Sequence, residues 1–220
     1  MCRKLIHLGL ALAAWGAVAL APTFASASPV MTFPLGTPLA TGSLLQVTNA
    51  GVSLFTEPEG RIECLTVKFT GELSANSEGG VAVNLSSMEA RRGGVEEDCK
   101  RDWYKNEITQ EGSVKITYSG LPWCFKTAGI DEFQIRGGSC TGSKKPVTLV
   151  FTYTGLAECK YEASSFHGTF TTAPEDVRLL SEQGFEKEST NSFFCPATMG
   201  SDTELTMEKD APTNEPVYIS

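Results

Sequence analysis

Histidine is almost missing from this chain: there are two in 220 residues, His7 and His167. His7 falls in the N-terminal apolar stretch, so a histidine base serving a serine or cysteine nucleophile could only be His167. That residue sits beside Phe166 in a strand-like run, Phe166-His167-Gly168-Thr169-Phe170, and reads as an exposed strand residue. Zinc spacing is missing too. There is no Cys-x-x-Cys, and Cys124 and Cys140 are too far apart for a knuckle. No Gly-x-Ser-x-Gly elbow occurs; Gly137-Gly138-Ser139-Cys140-Thr141-Gly142 reads as a turn following the Phe133–Ile135 strand. Glu96-Glu97-Asp98 lacks the Asp-x-Asp-x-Asp-Gly pattern of a calcium loop and reads as solvated. Positive charge is also short, with 18 Lys and Arg against 26 Asp and Glu. The basic pairs Arg91-Arg92, Lys100-Arg101 and Lys144-Lys145 are dispersed, which excludes a groove that tracks nucleic-acid phosphates. No metal, no cofactor and no histidine-based triad is expected.

What is present begins with an export signal. Arg3 and Lys4 precede an apolar segment from Leu5 to Leu20, and Ala25-Ser26-Ala27 forms a small-x-small cleavage site before Ser28. Residues 1–27 are therefore expected to be a signal peptide and 28–220 the secreted β domain. Cys2 would be lost with the leader. No later apolar run reaches the ~20 residues of a membrane helix, so a released product without stable membrane insertion is expected. The net charge of -8 becomes two units more negative once Arg3 and Lys4 are removed. The even set Cys64, Cys99, Cys124, Cys140, Cys159 and Cys195 then meets an oxidising compartment and is expected to form disulfides.

Period-two alternation marks strands at Leu65-Val67-Phe69, Val81-Val83-Leu85, Val114-Ile116-Tyr118, Phe133-Ile135, Val147-Leu149-Phe151-Tyr153, Val177-Leu179 and Leu205-Met207. Turn-forming pairs such as Gly79-Gly80, Gly93-Gly94 and Gly137-Gly138 separate several of them. Helix signals are scarce. Glu175 to Gln183 reads as strand, and the charged stretch Met88 to Gln110 reads as a long loop with a short helix near Glu96 to Trp103. Together these predict an all-β, antiparallel β-sandwich stapled by disulfides, built as one unit or as two similar units divided near 120–145. The two-unit version rests on an echo. Glu63-Cys64 before Phe69-Thr70-Gly71 matches Glu158-Cys159 before Phe166-His167-Gly168, and each cysteine has another at a nearly equal interval downstream. That echo favours pairing Cys64 with Cys99, Cys159 with Cys195, and Cys124 with Cys140.

Candidate functional residues are few. Trp103, Tyr104 and Trp123 are the aromatics that could stack on sugars if exposed, although Trp123 could instead pack over the neighbouring cystine and Trp103 could cap the core. Glu63 and Glu158, beside the echoed cysteines, are the carboxylates for a glycosidase reading. Asn84-Leu85-Ser86 matches a glycosylation acceptor but falls in a strand pattern. The leading expectation is a non-enzymatic protein that binds carbohydrate or an envelope polymer. A carboxylate hydrolase and an extracellular inhibitor-like module, contacting its partner through Met88 to Gln110, are the alternatives.

Glu59-Gly60-Arg61-Ile62-Glu63-Cys64 with Phe69-Thr70-Gly71, Cys159-Lys160-Tyr161, Cys195-Pro196 and the closing Pro216-Val217-Tyr218-Ile219-Ser220 resemble uncharacterised secreted β-rich proteins of soil actinobacteria. Cys124 and Cys140 are additional to that pattern. The resemblance implies a free-standing exported bacterial protein and transfers no functional residue.

Overall fold

A computed structural model describes residues 29–32, 36–49, 53–57, 60–77, 79–92, 98–105, 108–171, 178–187, 195–209 and 215–219. Residues 53–54, 103–105, 108–111, 178–183 and 187 are described by backbone alone. The expected leader lies outside the described residues.

The strands are β1 (Met31–Thr32), β2 (Leu44–Asn49), β3 (Ser53–Glu57), β4 (Gly60–Cys64), β5 (Thr66–Ser77), β6 (Gly80–Arg91), β7 (Cys99–Lys105) and β8 (Ile108–Ser119). They continue with β9 (Trp123–Thr127), β10 (Glu132–Gly137), β11 (Val147–Tyr153), β12 (Ala157–Ala163), β13 (Phe166–Phe170), β14 (Arg178–Lys187), β15 (Thr198–Lys209) and β16 (Tyr218–Ile219). Successive segments share one path. β2 and β3, β4 and β5, β6 and β7, β8 and β9, β10 and β11, and β12 and β13 each face the same neighbours in the ladder. With β14 and β15 they make eight long strands, each antiparallel to the next, and β15 closes the ring onto β2 and β3. The result is an eight-stranded closed barrel of up-and-down connectivity.

The all-β, antiparallel, disulfide-stapled expectation is met, whereas the two open, facing sheets of a sandwich are replaced by closure. Residues on both sides of 120–145 enter this one ladder and one hydrophobic core.

Alternation sets the inside from the outside. Along β5, Val67, Phe69 and Leu73 are buried while Lys68, Thr70 and Glu72 face outward. Along β15, Met199, Leu205 and Met207 point in, and Asp202, Thr206 and Glu208 point out. Apolar inside and charged outside is the reverse of a lipid-facing barrel, whose outer band is apolar.

Strands this long bend, and the ladder breaks midway along most of them. Three of these seams are fastened by side chains. Between β2/β3 and β4/β5, the Asn49 amide substitutes for the ladder: its Oδ1 accepts from Val67 N at 2.7 Å and its Nδ2 donates to Leu65 O at 3.0 Å. Between β4/β5 and β6/β7, Cys64 and Cys99 occupy the rung after Glu63–Lys100 and are joined covalently, with Cα atoms 4.8 Å apart. Between β8/β9 and β10/β11, Cys124 on β9 is bonded to Cys140, and the Arg136 guanidinium donates to the carbonyls of Gly137, Ser139 and Cys140. Gly137 is required there, because a Cβ would lie 2.1 Å from Pro146 O. The third bridge, Cys159–Cys195, ties β12 to the segment before β15. These are the pairs that the cysteine spacing favours, with sequence separations of 35, 16 and 36.

Met88 to Gln110 is a correction. β6 extends to Arg91, and β7 and β8 pair from Cys99 onward, so strand replaces the expected loop and helix; residues 93–97 lie outside the described set. Hydropathy hid β7 because its inward residue is Arg101, buried against Glu57 on β3. Its outward neighbours Lys100 and Asp102 pair across the outer face, and Asp102 also meets Arg61. The predicted strand in Glu175–Gln183 is present from Arg178, as β14.

Both barrel ends are filled. At the end carrying the β5–β6 and β9–β10 hairpins, β1 pairs with β16 and inserts Met31, Leu39, Val217 and Ile219 into the core. Asn76 clamps that cap: its Oδ1 accepts from Met31 N, and its Nδ2 donates to Met31 O and Leu39 O, all within 2.7–2.8 Å. At the opposite end, the Arg101 guanidinium forks the Glu57 carboxylate and lies 4.3 Å from the centre of the Tyr153 ring. The Tyr161 hydroxyl donates to Pro196 O at 3.0 Å beside the Cys159–Cys195 bridge.

Candidate functional site

Of the three predicted binding aromatics, Trp123 is corrected by the structure. It is 1% exposed, points into the barrel among Phe69, Tyr118 and Phe166, and donates its indole N–H to Ser119 O at 3.1 Å. It does not cover the Cys124–Cys140 bridge, because adjacent strand residues face opposite ways and Cys124 points outward. That bridge lies in a separate small cluster with Ala82, beneath the fold of residues 138–145. Trp103 and Tyr104 lie on β7, opposite Gln110 and Thr109 of β8; their side chains are outside the described set.

The carboxylate pair Glu63 and Glu158 is not assembled. Glu63 is on β4 and Glu158 on β12, with β7, β8 and β11 between them in the ladder, and Glu63 is engaged by Arg61 at 2.8 Å. His167 is exposed on β13, as its sequence context implies. Its Nε2 lies 2.7 Å from Ser165 Oγ and 3.3 Å from the Gln134 amide. The nitrogen that would receive a serine proton is thus shared with a neighbouring amide in open solvent. Asn84 is on β6, and its Oδ1 accepts from Cys140 N at 2.7 Å, so the glycosylation-like triplet serves the Cys140 turn. Among the described residues no cluster of three His, Cys, Asp or Glu is placed to hold a metal ion. Glu96 and Glu97 lie outside that set.

Among the described residues, two concavities stand out. The first is a groove of about 360 Å³ on the outer wall, lined by Leu44, Thr70, Gly71, Glu72, Asn84, Ser86, Pro122 and Ser139. Its floor follows from a β-bulge. The β5–β6 register shifts between Thr70 and Gly71, and Gly71 comes so close to β6 that a Cβ would lie 2.7 Å from Asn84 O. A bulge bends its strand and re-aims the flanking side chains, here Thr70 and Glu72. The Thr70 hydroxyl bonds that of Ser87, while Ser86 Oγ donates to Thr70 O at 3.3 Å. Leu44, 56% exposed, and Pro122 form the apolar rims. Sequence reading missed this groove because none of its residues is unusual alone; the bulge-forming Phe69-Thr70-Gly71 was the available signal.

The second concavity is internal, a cavity of about 50 Å³ bordered by Phe69, Tyr118, Trp123, Leu149, Phe166 and eight further side chains, nearly all apolar. Burial raises the Tyr118 phenol far above its ordinary value, and does the same for Tyr153 and Tyr161, where the Glu57 charge adds to the effect. In comparisons with known proteins, the chain matches no family model, no curated protein and no solved structure.

Proposed function

We propose that this is an exported, non-catalytic binding protein that holds a polysaccharide or other envelope polymer in the groove over β2, β5 and β6. The observation that carries this reading is the groove's chemistry. Hydroxyls from Thr70, Ser86 and Ser139, the Glu72 carboxylate and the Asn84 amide stand between apolar rims at Leu44 and Pro122. Sugars present alternating hydroxyls and C–H faces, so they match a surface that mixes acceptors, donors and small apolar contacts. Glu72 is the one carboxylate in that lining. Glycoside hydrolysis by the usual route needs two, an acid and a base or nucleophile, which favours binding over cleavage. Three disulfides are consistent with an oxidising, extracellular setting, and the leader-like residues 1–27 and the resemblance to exported actinobacterial proteins support secretion.

The test is retention of the oxidised mature protein on a panel of insoluble envelope and plant polysaccharides. Retention that is lost in Glu72→Ala supports the reading. Retention by none of the polymers, or release of reducing sugar from one, counts against it.

A further inference from the structure

We propose that the barrel interior is a second site, for a small apolar molecule carrying one hydrogen-bond acceptor, entered through a slit between β6 and β8. Three observations converge on it. Both ends are filled among the described residues, by Met31, Leu39, Val217 and Ile219 at one and by Glu57, Arg101, Tyr153 and Tyr161 at the other. The side wall has a long unfastened stretch between β6 and β8. β6 pairs with β9 over Ala82–Leu85, and β7 with β8 from Cys99 and Val114 onward. Between these ladders, no described residue of Ser86–Arg91 is hydrogen-bonded to Lys115–Ser119. The seams at Asn49, Cys64–Cys99 and Cys124–Cys140 are each bridged by side chains; this one has no such bridge among the described residues. Finally, Met88 and Tyr118 stand on the two lips, half-buried, and both line the cavity behind them.

The cavity's chemistry defines the ligand. Its walls are apolar apart from the Ser201 and Thr203 hydroxyls, which face each other at 3.5 Å, and Tyr118. The Tyr118 hydroxyl is buried and has no hydrogen-bond partner among the described residues. A buried donor without a partner favours any molecule that brings an acceptor. The volume of about 50 Å³ is well below the ~150 Å³ of an apolar cavity that accepts benzene, so the ligand must be smaller than benzene. Met88, unbranched and flexible, can yield at the lip. A ketone of the size of acetone has the required form: methyl groups for the cavity and one carbonyl for Tyr118.

The probes are xenon, which reads the apolar void, and acetone, which reads the void and the acceptor together. Both are added to the oxidised mature protein and followed by xenon and amide NMR. Saturable binding of both is expected, with amide shifts on Phe69, Met88, Tyr118 and Leu205. Tyr118→Phe should keep xenon binding and weaken acetone about five-fold, the value of one ordinary hydrogen bond. Met88→Trp should obstruct both, and if it does not fold, Tyr118→Phe decides alone. Failure of either probe to bind, shifts confined to the outer surface, or unchanged ketone affinity in Tyr118→Phe would overturn the proposal. None of these outcomes bears on the polymer groove, which lies on the outside of the wall.

Discussion

Arg101 and Glu57 meet inside the barrel, the guanidinium donating from Nε and Nη2 to the two carboxylate oxygens, with both residues 8% exposed. Removing one member leaves the other charged and buried, which costs about 3–5 kcal/mol. Glu57→Gln and Arg101→Met should each lower the urea unfolding free energy by roughly that amount. The double variant Glu57→Leu/Arg101→Met should lose less than the sum, because no uncompensated charge remains. Equal and additive losses would mean that the two residues do not act as a pair.

The bridges differ in the length of chain they close. Cys64–Cys99 and Cys159–Cys195 span 35 and 36 residues and Cys124–Cys140 spans 16. On the chain-entropy view, loss of either long bridge should cost about 0.7 kcal/mol more than loss of the short one, within a typical cost of 2–5 kcal/mol. Paired Cys→Ala variants compared by urea unfolding check the ranking.

Alkaline pH should unfold the protein through its buried tyrosines. Burial, joined at Tyr153 and Tyr161 by the Glu57 charge, favours the neutral phenol and raises the folded-state values of Tyr118, Tyr153 and Tyr161. The unfolded chain titrates near the ordinary value of about 10, so above that pH it releases protons that the folded state keeps. The stability contribution is therefore intact below about pH 10 and declines above it, by about 1.4 kcal/mol per pH unit for each tyrosine. Tyr153→Phe should flatten the slope of unfolding free energy against pH, whatever it does to stability at neutral pH.

Local signals in the sequence carried the strands and the staples. The alternation Val147-Leu149-Phe151-Tyr153 became β11, with all four residues buried. The near-equal cysteine intervals matched the bridges because Cys64 and Cys159 each open a strand path, four paths apart in a regular up-and-down series. Closure was not legible, since it depends on β15 pairing with β2 and β3, contacts about 150 residues apart in the chain that leave no local pattern. β7 was hidden by inverted chemistry: an arginine takes the inward position and is satisfied by a glutamate from a strand more than 40 residues earlier. Trp123 was misplaced for a related reason, as the sequence shows that an aromatic neighbours a cystine but not which face each occupies. The groove depends on the Gly71 bulge bringing β5 against β6, and register shifts of that kind are set by the whole ladder.

The central claim is that a polymer lies in the outer groove, and an amide chemical-shift map tests it most directly. A soluble oligosaccharide cut from whichever polymer retains the protein is titrated into the isotope-labelled, oxidised mature chain. The account predicts saturable shifts centred on Leu44, Thr70, Gly71, Glu72, Asn84, Ser86 and Ser139, lost in Glu72→Ala. Saturable shifts centred elsewhere, or no shifts with an oligosaccharide that competes for retention, would contradict it.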